Sequence, residues 1–334
     1  MPEKILLSHG SGGSAMQELI RGLLLKKLHN PILKELTDAA LIRHRERIAF
    51  TTDSFVVSPL FLRGADIGKL AVCGTVNDLV MLGVQPEHLS LGLIIEEGLD
   101  YRTLERIVDS IASSARRAGV SIVTGDLKVV ERGAADKIFI NTSGIGRVIK
   151  GADLSLKRIR PKDKIIVTGE IGSHGMAVVC GRKGAGLGFN IASDCASLNT
   201  LLLPVIRKTR AVKFMRDPTR GGVAATLNEI AGATGYGILI KEKMIPVAPR
   251  VRMACELLGL DPLYVANEGK ALLIVEAKGA EKVLKSLRKH SLGRKAKIIG
   301  EIRPGLGGKV VLETRLGTER IVDMPAGEIL PRIC

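Results

Sequence analysis

Short apolar stretches rich in Ile, Val and Leu recur along this chain and alternate with longer segments in which apolar residues repeat with helical spacing. The short stretches predict β-strands at 48–57, 88–96, 121–125, 137–148, 164–169, 270–276, 297–303 and 309–313. Two predicted helices have well-marked ends: one begins after Asp66 and stops at Gly83, and the other stops at Gly119. Further helices are expected near 15–28, 194–208, 221–233, 250–258 and 280–289. This alternation predicts an α/β or α+β fold in which helices pack on sheets.

The length of the chain, 334 residues with 46% hydrophobic content, is sufficient for two packed domains. A basic stretch at 149–163, interrupted by glycine and proline, lies near the middle and marks the predicted boundary. We therefore expect an N-terminal domain at 1–150 and a C-terminal domain at 151–313. Residues 314–334 contain several glycines and prolines, which suit a mobile tail and would equally suit an ordinary loop.

Composition and charge argue against several classes of protein. The N-terminus lacks the charged start and apolar run of a secretory signal, and no stretch of about 18 apolar residues predicts a membrane span. The five cysteines form no CxxC motif, so they are expected to be reduced thiols in a cytoplasmic protein. The net charge of +16 comes from scattered basic residues, with only 3% aromatic residues, which argues against nucleic-acid binding. Such a surface suits nucleotide phosphates or an acidic protein partner.

The sequence ends Pro-Arg-Ile-Cys and so places the thiol of Cys334 on a terminal segment. A thiolate on a mobile tether is a nucleophile that can be carried into another site, which suits a covalent carrier of a small group. A free thiol on a frayed terminus is the alternative explanation.

A glycine-rich segment, His9-Gly10-Ser11-Gly12-Gly13, leads into a predicted helix. Main-chain N–H groups at such a place, here near Gly12 and Gly13, can approach a phosphate. The segment matches neither a Walker A loop nor the GxGxxG fingerprint, so by itself it is a weak indication of nucleotide binding.

Three aspartates lie near strand ends or inside the following helix, namely Asp53, Asp78 and Asp126. Mg²⁺ prefers carboxylate oxygens and often shares them with nucleotide phosphates. Any one of these residues is explained equally well as a helix cap or a turn residue. The three together, beside a glycine-rich segment, favour a metal–nucleotide site.

Polar residues also cluster in the C-terminal half. Residues 216–223 have the sequence of a loop that turns into a helix, in which Thr219 would cap the helix and Arg216 and Arg220 would attract an anion. Glu268 directly precedes a buried strand and is a candidate general base, although most Glu residues in loops are simply solvated.

Taken together, these motifs resemble those of the HypE carbamoyl dehydratase family, part of the larger PurM-like group of ATP-dependent enzymes. The matching segments follow the family order along the chain and are His9–Gly13, Thr51–Pro59, Gly74–Leu79, Thr124–Val129, Gly172–Gly175, Arg216–Val223, Asn267–Lys270 and Pro331–Cys334. The ATP-site motifs are shared by the wider group, whereas the ending Pro-Arg-Ile-Cys singles out this family. Leu127 departs from the family pattern Gly-Asp-x-Lys, where a small polar residue is usual, and leaves the motif intact.

The resemblance implies a PurM-like two-domain subunit whose N-terminal domains pair in a homodimer through a β-barrel-like interface, with ATP and Mg²⁺ bound in the cleft there. It also implies an activity. A HypF-type carbamoyltransferase would load a carbamoyl group on Cys334, and ATP-dependent dehydration would convert this thiocarboxamide to a thiocyanate. The cyanide would then pass to iron held by a HypC–HypD complex and become a ligand of the [NiFe] hydrogenase centre.

By the same resemblance, Asp53, Asp78 and Asp126 would bind Mg²⁺ and nucleotide, with Asp78 the most critical. Lys128 would neutralise the transferring phosphoryl group, and Glu268 would accept the N–H proton. The other candidates for cofactor binding are Gly12, Gly13, Asn77, Arg216 and Arg220. The sequence leaves open which of Lys128 and Glu268 contacts the proton, and whether His9 and His174 do more than line loops.

Two other functions stay open at this point. The first is a different PurM-like enzyme, acting on a formyl-amidine, thiamine phosphate or selenide. The selenide enzyme would require a Cys or selenocysteine in segment 9–13, which has none. The second is a non-catalytic carrier or scaffold that only presents Cys334 to maturation partners, and such a protein would need neither the three aspartates nor Lys128.

Overall fold

The computed structural model of the protein describes residues 4–6, 18–30, 47–182, 189–325, 330 and 332–334. They form two α/β domains that meet along a cleft. Within these ranges, no helix combines the length and the apolar character that crossing a membrane requires.

The N-terminal domain is built on a four-stranded sheet. In chain order its strands and those of a small ribbon are β1 (Ile48–Phe55), β2 (Phe61–Leu62), β3 (Ala65–Asp66), β4 (Val84–Glu96), β5 (Ser121–Val130) and β6 (Ile138–Val148). The sheet has the order β1–β6–β4–β5, with only the β4–β5 pair parallel, and β2 pairs with β3 separately. A π-helical turn (Ile20–Leu24) continues into α1 (Leu25–Leu28), and two longer helices, α2 (Ile67–Met81) and α3 (Tyr101–Ala118), pack against each other on the domain.

The ends of α2 and α3 lie where the sequence predicts them. The Asp66 side chain caps α2 by accepting a hydrogen bond from the N–H of Lys69 at 3.0 Å, and α3 ends at Gly119 with φ of 69°. A Cβ on Gly68 would lie 2.6 Å from the Ile107 carbonyl oxygen, so this glycine allows α2 to approach α3 closely. Helix α2 is buried on almost every side because it also contacts the C-terminal domain.

The C-terminal domain is built on a seven-stranded sheet. Its strands are β7 (Lys164–Val167), β8 (Val212–Arg216), β9 (Gly237–Lys241), β10 (Leu272–Val275), β11 (Lys297–Arg303), β12 (Val310–Glu313) and β13 (Glu319–Ile321). They are arranged in the order β13–β12–β9–β11–β7–β10–β8. The helices are α4 (Ser173–Gly181), α5 (Asn199–Lys208), α6 (Gly222–Thr234), α7 (Pro249–Leu258) and α8 (Ala280–Arg288). Single 3₁₀ turns lie at Leu156–Arg158, Glu242–Met244, Pro262–Tyr264, Ala277–Gly279 and Ser291–Gly293.

Four elements of this domain are absent from the sequence-based prediction: β8, β9, β13 and α4. In β8, Lys213 and Arg216 interrupt a strand of five residues, so no apolar run is visible. In α4, Gly175 and Gly181 are typical of a loop, and the helix forms because its remaining residues pack into the core.

The first part of the expected tail at 314–334 is folded. Residues 319–321 form β13, which pairs with β12, and the turn between them uses Gly317 with φ of 86°. Val322 is buried, and its carbonyl oxygen accepts a hydrogen bond from Asn228 Nδ2 at 2.9 Å. Residues 314–323 therefore belong to the C-terminal domain, since their glycine makes a hairpin turn and not a linker.

Candidate active site

A cavity of about 450 Å³ lies between the two domains. This volume is in the range of small-molecule sites. Polar side chains from both domains line it. The predicted site residues among them are Asp53, Asp78, Arg216, Arg220, Glu268 and Cys334.

Two carboxylates of the N-terminal domain face this cavity from neighbouring elements. Side chains alternate along β1, so Thr51 and Asp53 lie on the side of the strand that faces α2. Thr51 Oγ1 donates a hydrogen bond to Asp78 Oδ2 at 3.0 Å, and the N–H of Ser54 donates to Asp53 Oδ1 at 2.8 Å. A Cβ on Gly74 would lie 2.9 Å from Phe55 Cζ, so this glycine leaves room for the Phe55 ring beside the Asp53 carboxylate.

Four acidic side chains gather in the cavity, and burial disfavours their charged forms. Burial raises the pKa of Asp53 and of Asp78. It raises the pKa of Asp217 to about 7, with a further contribution from the charge of Asp78. The pKa of Glu268 is raised well above its usual value by burial and by neighbouring carboxylates. A divalent cation would relieve this repulsion, and carboxylate oxygens are the ligands that Mg²⁺ prefers.

The predicted metal triad is not assembled in one chain. Among the residues that the structure describes, no group of three or more His, Cys, Asp or Glu side chains is arranged to hold a metal ion. Asp53 and Asp78 share the cavity without Asp126. The carboxylates of one chain therefore fit Mg²⁺ only as part of a set completed by other oxygens, such as phosphates.

Glu268 lies at the base of the cavity and is almost fully buried. Its Oε1 atom has no hydrogen-bond partner among the described residues, although its main-chain N–H donates to Asp194 Oδ1 at 3.2 Å. Asp194 Oδ2 lies 2.9 Å from Lys270 Nζ, and a Cβ on Gly269 would lie only 1.9 Å from the Asp194 carbonyl oxygen. Gly269 and Lys270 thus hold the backbone of this motif in place, and the Glu268 carboxyl remains available to react with a bound substrate.

Asn77 is not among the residues that line the cavity, and its role in cofactor binding stays a prediction. It is buried, and its Nδ2 donates to the carbonyl oxygens of Ala196 and Glu268, at 3.0 and 3.4 Å. Its Oδ1 accepts from the N–H of Leu198 at 2.8 Å. Asn77 therefore joins α2 to loops of the other domain.

We expect Asn77→Ala to lower stability rather than nucleotide affinity. Loss of three buried hydrogen bonds costs about 2–4 kcal/mol, because main-chain groups of the other domain are left unpaired. Thermal unfolding should show a lower Tm, while KM for ATP stays within about threefold of wild type. A raised KM at unchanged Tm would instead make Asn77 a nucleotide ligand.

The two arginines approach the cavity from the end of β8, which carries Arg216, and from the following loop, which carries Arg220. Arg216 Nη2 lies 2.9 Å from Glu229 Oε2, so its guanidinium is held at the edge of the cleft. Arg220 lines this cavity and a neighbouring one of about 480 Å³, and Cys334 lines both as well. The expectation that Thr219 caps the helix is wrong, because α6 begins without a side-chain cap.

Asp126 and Lys128 lie apart from the cavity. They lie on β5, at the opposite edge of the sheet from β1. Three strand spacings of about 4.8 Å therefore separate Asp126 from Ser54, which lies on β1 in the same cross-strand row. Lys128 Nζ lies 2.9 Å from Asp126 Oδ1, and both side chains are more than half exposed. Within one chain, these two predicted site residues are paired with each other and do not join Asp78.

The C-terminal segment, residues 332–334, is docked against both domains. The main-chain N–H groups of Val56 and Ser58 donate to the main-chain oxygens of Cys334 and Arg332, at 2.9 and 3.3 Å. Ile333 is buried in the larger core cluster. This docking places Cys334, which is partly buried, at the wall of the cavity that holds the carboxylates.

Some predicted residues lie outside the described part of the chain, and one buried carboxyl was missed. His9, Gly12 and Gly13 fall outside the described residues. Asp217 lines the cavity and was not singled out, although it lies in the 216–223 motif. Its position between Arg216 and Pro218 in a strand-to-helix loop was the available signal.

Comparison with known proteins places the chain in a family. Residues 36–148 match the N-terminal domain of AIR synthase related proteins, and residues 160–313 match the C-terminal domain. The carbamoyl dehydratase HypE of Escherichia coli (strain K12) is 47% identical over 336 residues, covering 99% of each chain.

Two solved structures extend the comparison. A crystal structure of hydrogenase maturation protein HypE in complex with ATP superimposes with a TM-score of 0.94 at 47% identity, covering 98% of this chain and 99% of that one. A structure of a HypE–HypF complex gives a TM-score of 0.81 at 47% identity, covering 92% of this chain and 99% of that one. With full-length identity of this order, the chain belongs to the HypE carbamoyl dehydratase family of AIR synthase related proteins.

Proposed function

We propose that this protein catalyses the ATP-dependent dehydration of a carbamoyl group carried on Cys334, and that the product supplies the cyanide ligand of a [NiFe] hydrogenase. One observation carries the proposal: Cys334 lines the same cavity as Asp53, Asp78 and Glu268. A pure carrier or scaffold would not need its thiol beside a buried cluster of carboxyl groups.

The reaction converts S–C(=O)–NH₂ to S–C≡N. The amide oxygen is a poor leaving group, and transfer of the γ-phosphoryl group of ATP to it makes it a good one. Loss of phosphate breaks the C–O bond, and the two N–H protons depart, one at each step. Cys334 keeps its C–S bond throughout, so ATP and the thiocarboxamide give ADP, phosphate and the thiocyanate.

Phosphoryl transfer depends mainly on positioning and on neutralisation of charge. Asp53 and Asp78 would hold Mg²⁺, which when bound neutralises developing charge on the phosphates. Arg216 and Arg220 supply positive charge at the mouth of the same cavity. The ATP complex of a 47% identical relative supports nucleotide binding here.

Glu268 is the residue of this cavity best suited to accept a proton from nitrogen. A carboxylate that is buried among other carboxylates and lacks a hydrogen-bond donor is a stronger base than a solvated one. Phosphate departure increases the acidity of the remaining N–H, so the proton transfer and C–O cleavage assist each other.

We further propose that Asp126 and Lys128 act in the cavity of a second copy of the chain. They share one face of the four-stranded sheet with Phe50 and Ile94, which are 70% and 44% exposed. No helix covers this face in the described residues, and exposed apolar side chains of this kind suit a partner surface. A homodimer that buries it would bring the two charged residues of one subunit toward the other subunit.

Mixed dimers test this sharing of the site. A dimer of one Asp78→Asn subunit and one Asp126→Asn subunit, isolated with two different affinity tags, keeps one intact site of two. We expect about half of the wild-type dehydration rate, although each parent dimer is inactive. A mixed dimer of Asp78→Asn and Asp53→Asn subunits is the control, since it has no intact site. An inactive Asp78→Asn/Asp126→Asn dimer would show that Asp126 serves its own subunit, and an active Asp126→Asn parent dimer would show that it serves neither.

Loading and discharge of Cys334 require partners. The structure of a HypE–HypF complex of a relative supports a HypF-type carbamoyltransferase as the donor. The family resemblance supports a HypC–HypD complex as the iron-carrying acceptor. Both would have to reach Cys334, so the docked segment must leave the cavity between steps.

The mass of the C-terminal peptide tests the proposed activity. The protein is incubated with its carbamoyltransferase, carbamoyl phosphate and ATP, and then with fresh ATP and Mg²⁺ or with neither. We expect Cys334 to gain one carbamoyl group and then to lose one water only when ATP and Mg²⁺ are present. Carbamoylation without loss of water would leave a carrier, and an unmodified Cys334 would point to another ATP-dependent activity.

A further inference from the structure

The docked C-terminal segment is held from both domains at adjacent residues. In the N-terminal domain, Val56 and Ser58 bind its main chain, as described above. In the C-terminal domain, the His174 ring, fully buried on α4, has its Nε2 atom 2.8 Å from the Ile333 carbonyl oxygen. This residue is one that sequence analysis could assign only to the lining of a loop.

The hydrogen bonds around His174 fix which nitrogen carries the proton. A carbonyl oxygen only accepts, so Nε2 must donate to Ile333. Burial lowers the pKa of His174 and keeps the ring neutral, so Nδ1 is an acceptor. Ser193 Oγ lies 2.8 Å from Nδ1 and donates to it, while it accepts the N–H of Cys195 at 3.1 Å. The hydrogen bond from Ser193 thus orients the ring so that its single N–H group points to the Ile333 carbonyl oxygen.

The Nε2–H group of His174 has the Ile333 carbonyl oxygen as its acceptor only when the segment is docked. Ile333 is 7% exposed, and Leu330 packs against the same helix, 3.4 Å from where a Cβ on Gly175 would lie. When the segment leaves, the ring N–H loses its acceptor and the isoleucine loses its apolar surroundings. A buried donor without a partner is costly, so the hydrogen bond selectively stabilises the docked state.

A second contact on the other side of the segment is more exposed. Arg332 Nη1 lies 2.7 Å from Asp136 Oδ2, and Arg332 Nε donates to the Val56 carbonyl oxygen at 2.9 Å. The Asp136 and Arg332 side chains are 41% and 37% exposed, so salt and water weaken their attraction. The buried contact at Ile333 is therefore the stronger of the two.

We propose that His174 is a positioning residue for the dehydration step: its hydrogen bond to the Ile333 carbonyl holds the loaded Cys334 in the carboxylate cavity. The inference rests on the proposed function. His174 does not touch the reacting atoms, and it acts by setting the fraction of molecules in which the segment is docked. Carbamoyl loading needs the segment outside the cavity, so loss of this bond does not slow it.

The test compares His174→Leu, which removes the donor, with His174→Gln, whose side-chain amide can donate from a similar position. Two rates are measured: alkylation of Cys334 by iodoacetamide, read from the mass of the C-terminal peptide, and dehydration of pre-carbamoylated protein at saturating ATP and Mg²⁺. For His174→Leu we expect alkylation about five- to tenfold faster and dehydration slower by a similar factor. His174→Gln should recover most of both rates, and Asp136→Asn should show a smaller effect that disappears at high salt.

Three outcomes bear on the proposal in different ways. Faster alkylation with slower dehydration and carbamoyl loading at least as fast as in wild type supports it. Wild-type alkylation and dehydration rates for His174→Leu overturn it, as does an equal loss of loading and dehydration with a lowered Tm, which marks a purely structural role. If wild-type protein itself fails to dehydrate, the proposed function fails, while the alkylation rates still report whether His174 holds the segment.

Discussion

Replacement of Asp78 by Asn is expected to abolish dehydration while Cys334 still accepts a carbamoyl group. Asp78 lies on α2 opposite Asp53, and both carboxylates line the cavity in which we propose that Mg²⁺ and phosphate bind. An amide has the same shape but no charge, so it cannot neutralise a cation. We expect a loss of at least about 10³-fold in the ATP-dependent step, the scale of a lost electrostatic contribution to phosphoryl transfer.

The same substitution should leave the fold intact. Burial raises the pKa of Asp78, so the native state holds its charged form at a cost that an amide does not have. The amide oxygen can still accept the hydrogen bond from Thr51 Oγ1. Asp109→Asn is a matched control, because it breaks only a surface ion pair with Lys27. Single-turnover dehydration and thermal unfolding of both variants check the prediction, and an Asp78→Asn protein with more than a tenth of wild-type activity would contradict it.

Much of the fold could be predicted because buried strands carry a continuous apolar run. Leu272–Val275 is buried on both faces and is recognised at once. The prediction failed where residue type and environment disagree, as in α4, whose glycines lie in a packed helix. It failed at Gly317 as well, because a glycine that turns a hairpin and a glycine that loosens a tail look alike in a sequence.

The candidate site could be predicted as motifs but not as an arrangement. Asp53 and Asp126 each lie three positions after an apolar strand residue, yet Asp53 lies on the face of the sheet toward α2 and Asp126 on the opposite face. A shift of one residue in a strand exchanges these faces, so spacing within a motif cannot distinguish them. The roles of Asn77 and His174 depend on loops more than 100 positions away, and no local pattern carries that information.

Glu268→Gln is expected to lose dehydration and to gain stability. If the Glu268 carboxylate accepts the N–H proton, its amide cannot, and the rate should fall by about 10²–10⁴-fold. Wild-type dehydration should increase as the pH rises through the raised pKa of Glu268, because the ionised form is the base. The variant should be slow at every pH and lack this increase. Carbamoyl loading of Cys334 should be unchanged.

Glu268→Gln should raise the stability of the fold although it lowers activity, because a buried carboxylate is both a strong base and a destabilising charge. The pKa of Glu268 is higher in the folded protein than its ordinary value of 4.5, so the folded state binds the proton more tightly. The contribution of Glu268 to stability is therefore largest below pH 4.5 and decreases as the pH rises through the folded-state pKa. Gln carries no titrating proton, so the variant should have a higher Tm than wild type at neutral pH and a smaller decrease of Tm with pH. The decrease from Asp217, whose pKa is about 7, should persist in both proteins.

Glu301→Gln provides the matched control, because it removes only partly exposed ion pairs, with Lys164 and Arg303. Tm measured from pH 5 to pH 9, beside single-turnover dehydration of the three proteins, separates the two roles of Glu268. A Glu268→Gln protein that is more stable yet dehydrates within tenfold of wild type would move the base to Lys128 of the second copy. A variant that is slower and less stable would mean that the buried carboxyl supports the structure of the cleft. We expect neither, since its Oε1 has no partner in the described residues to lose.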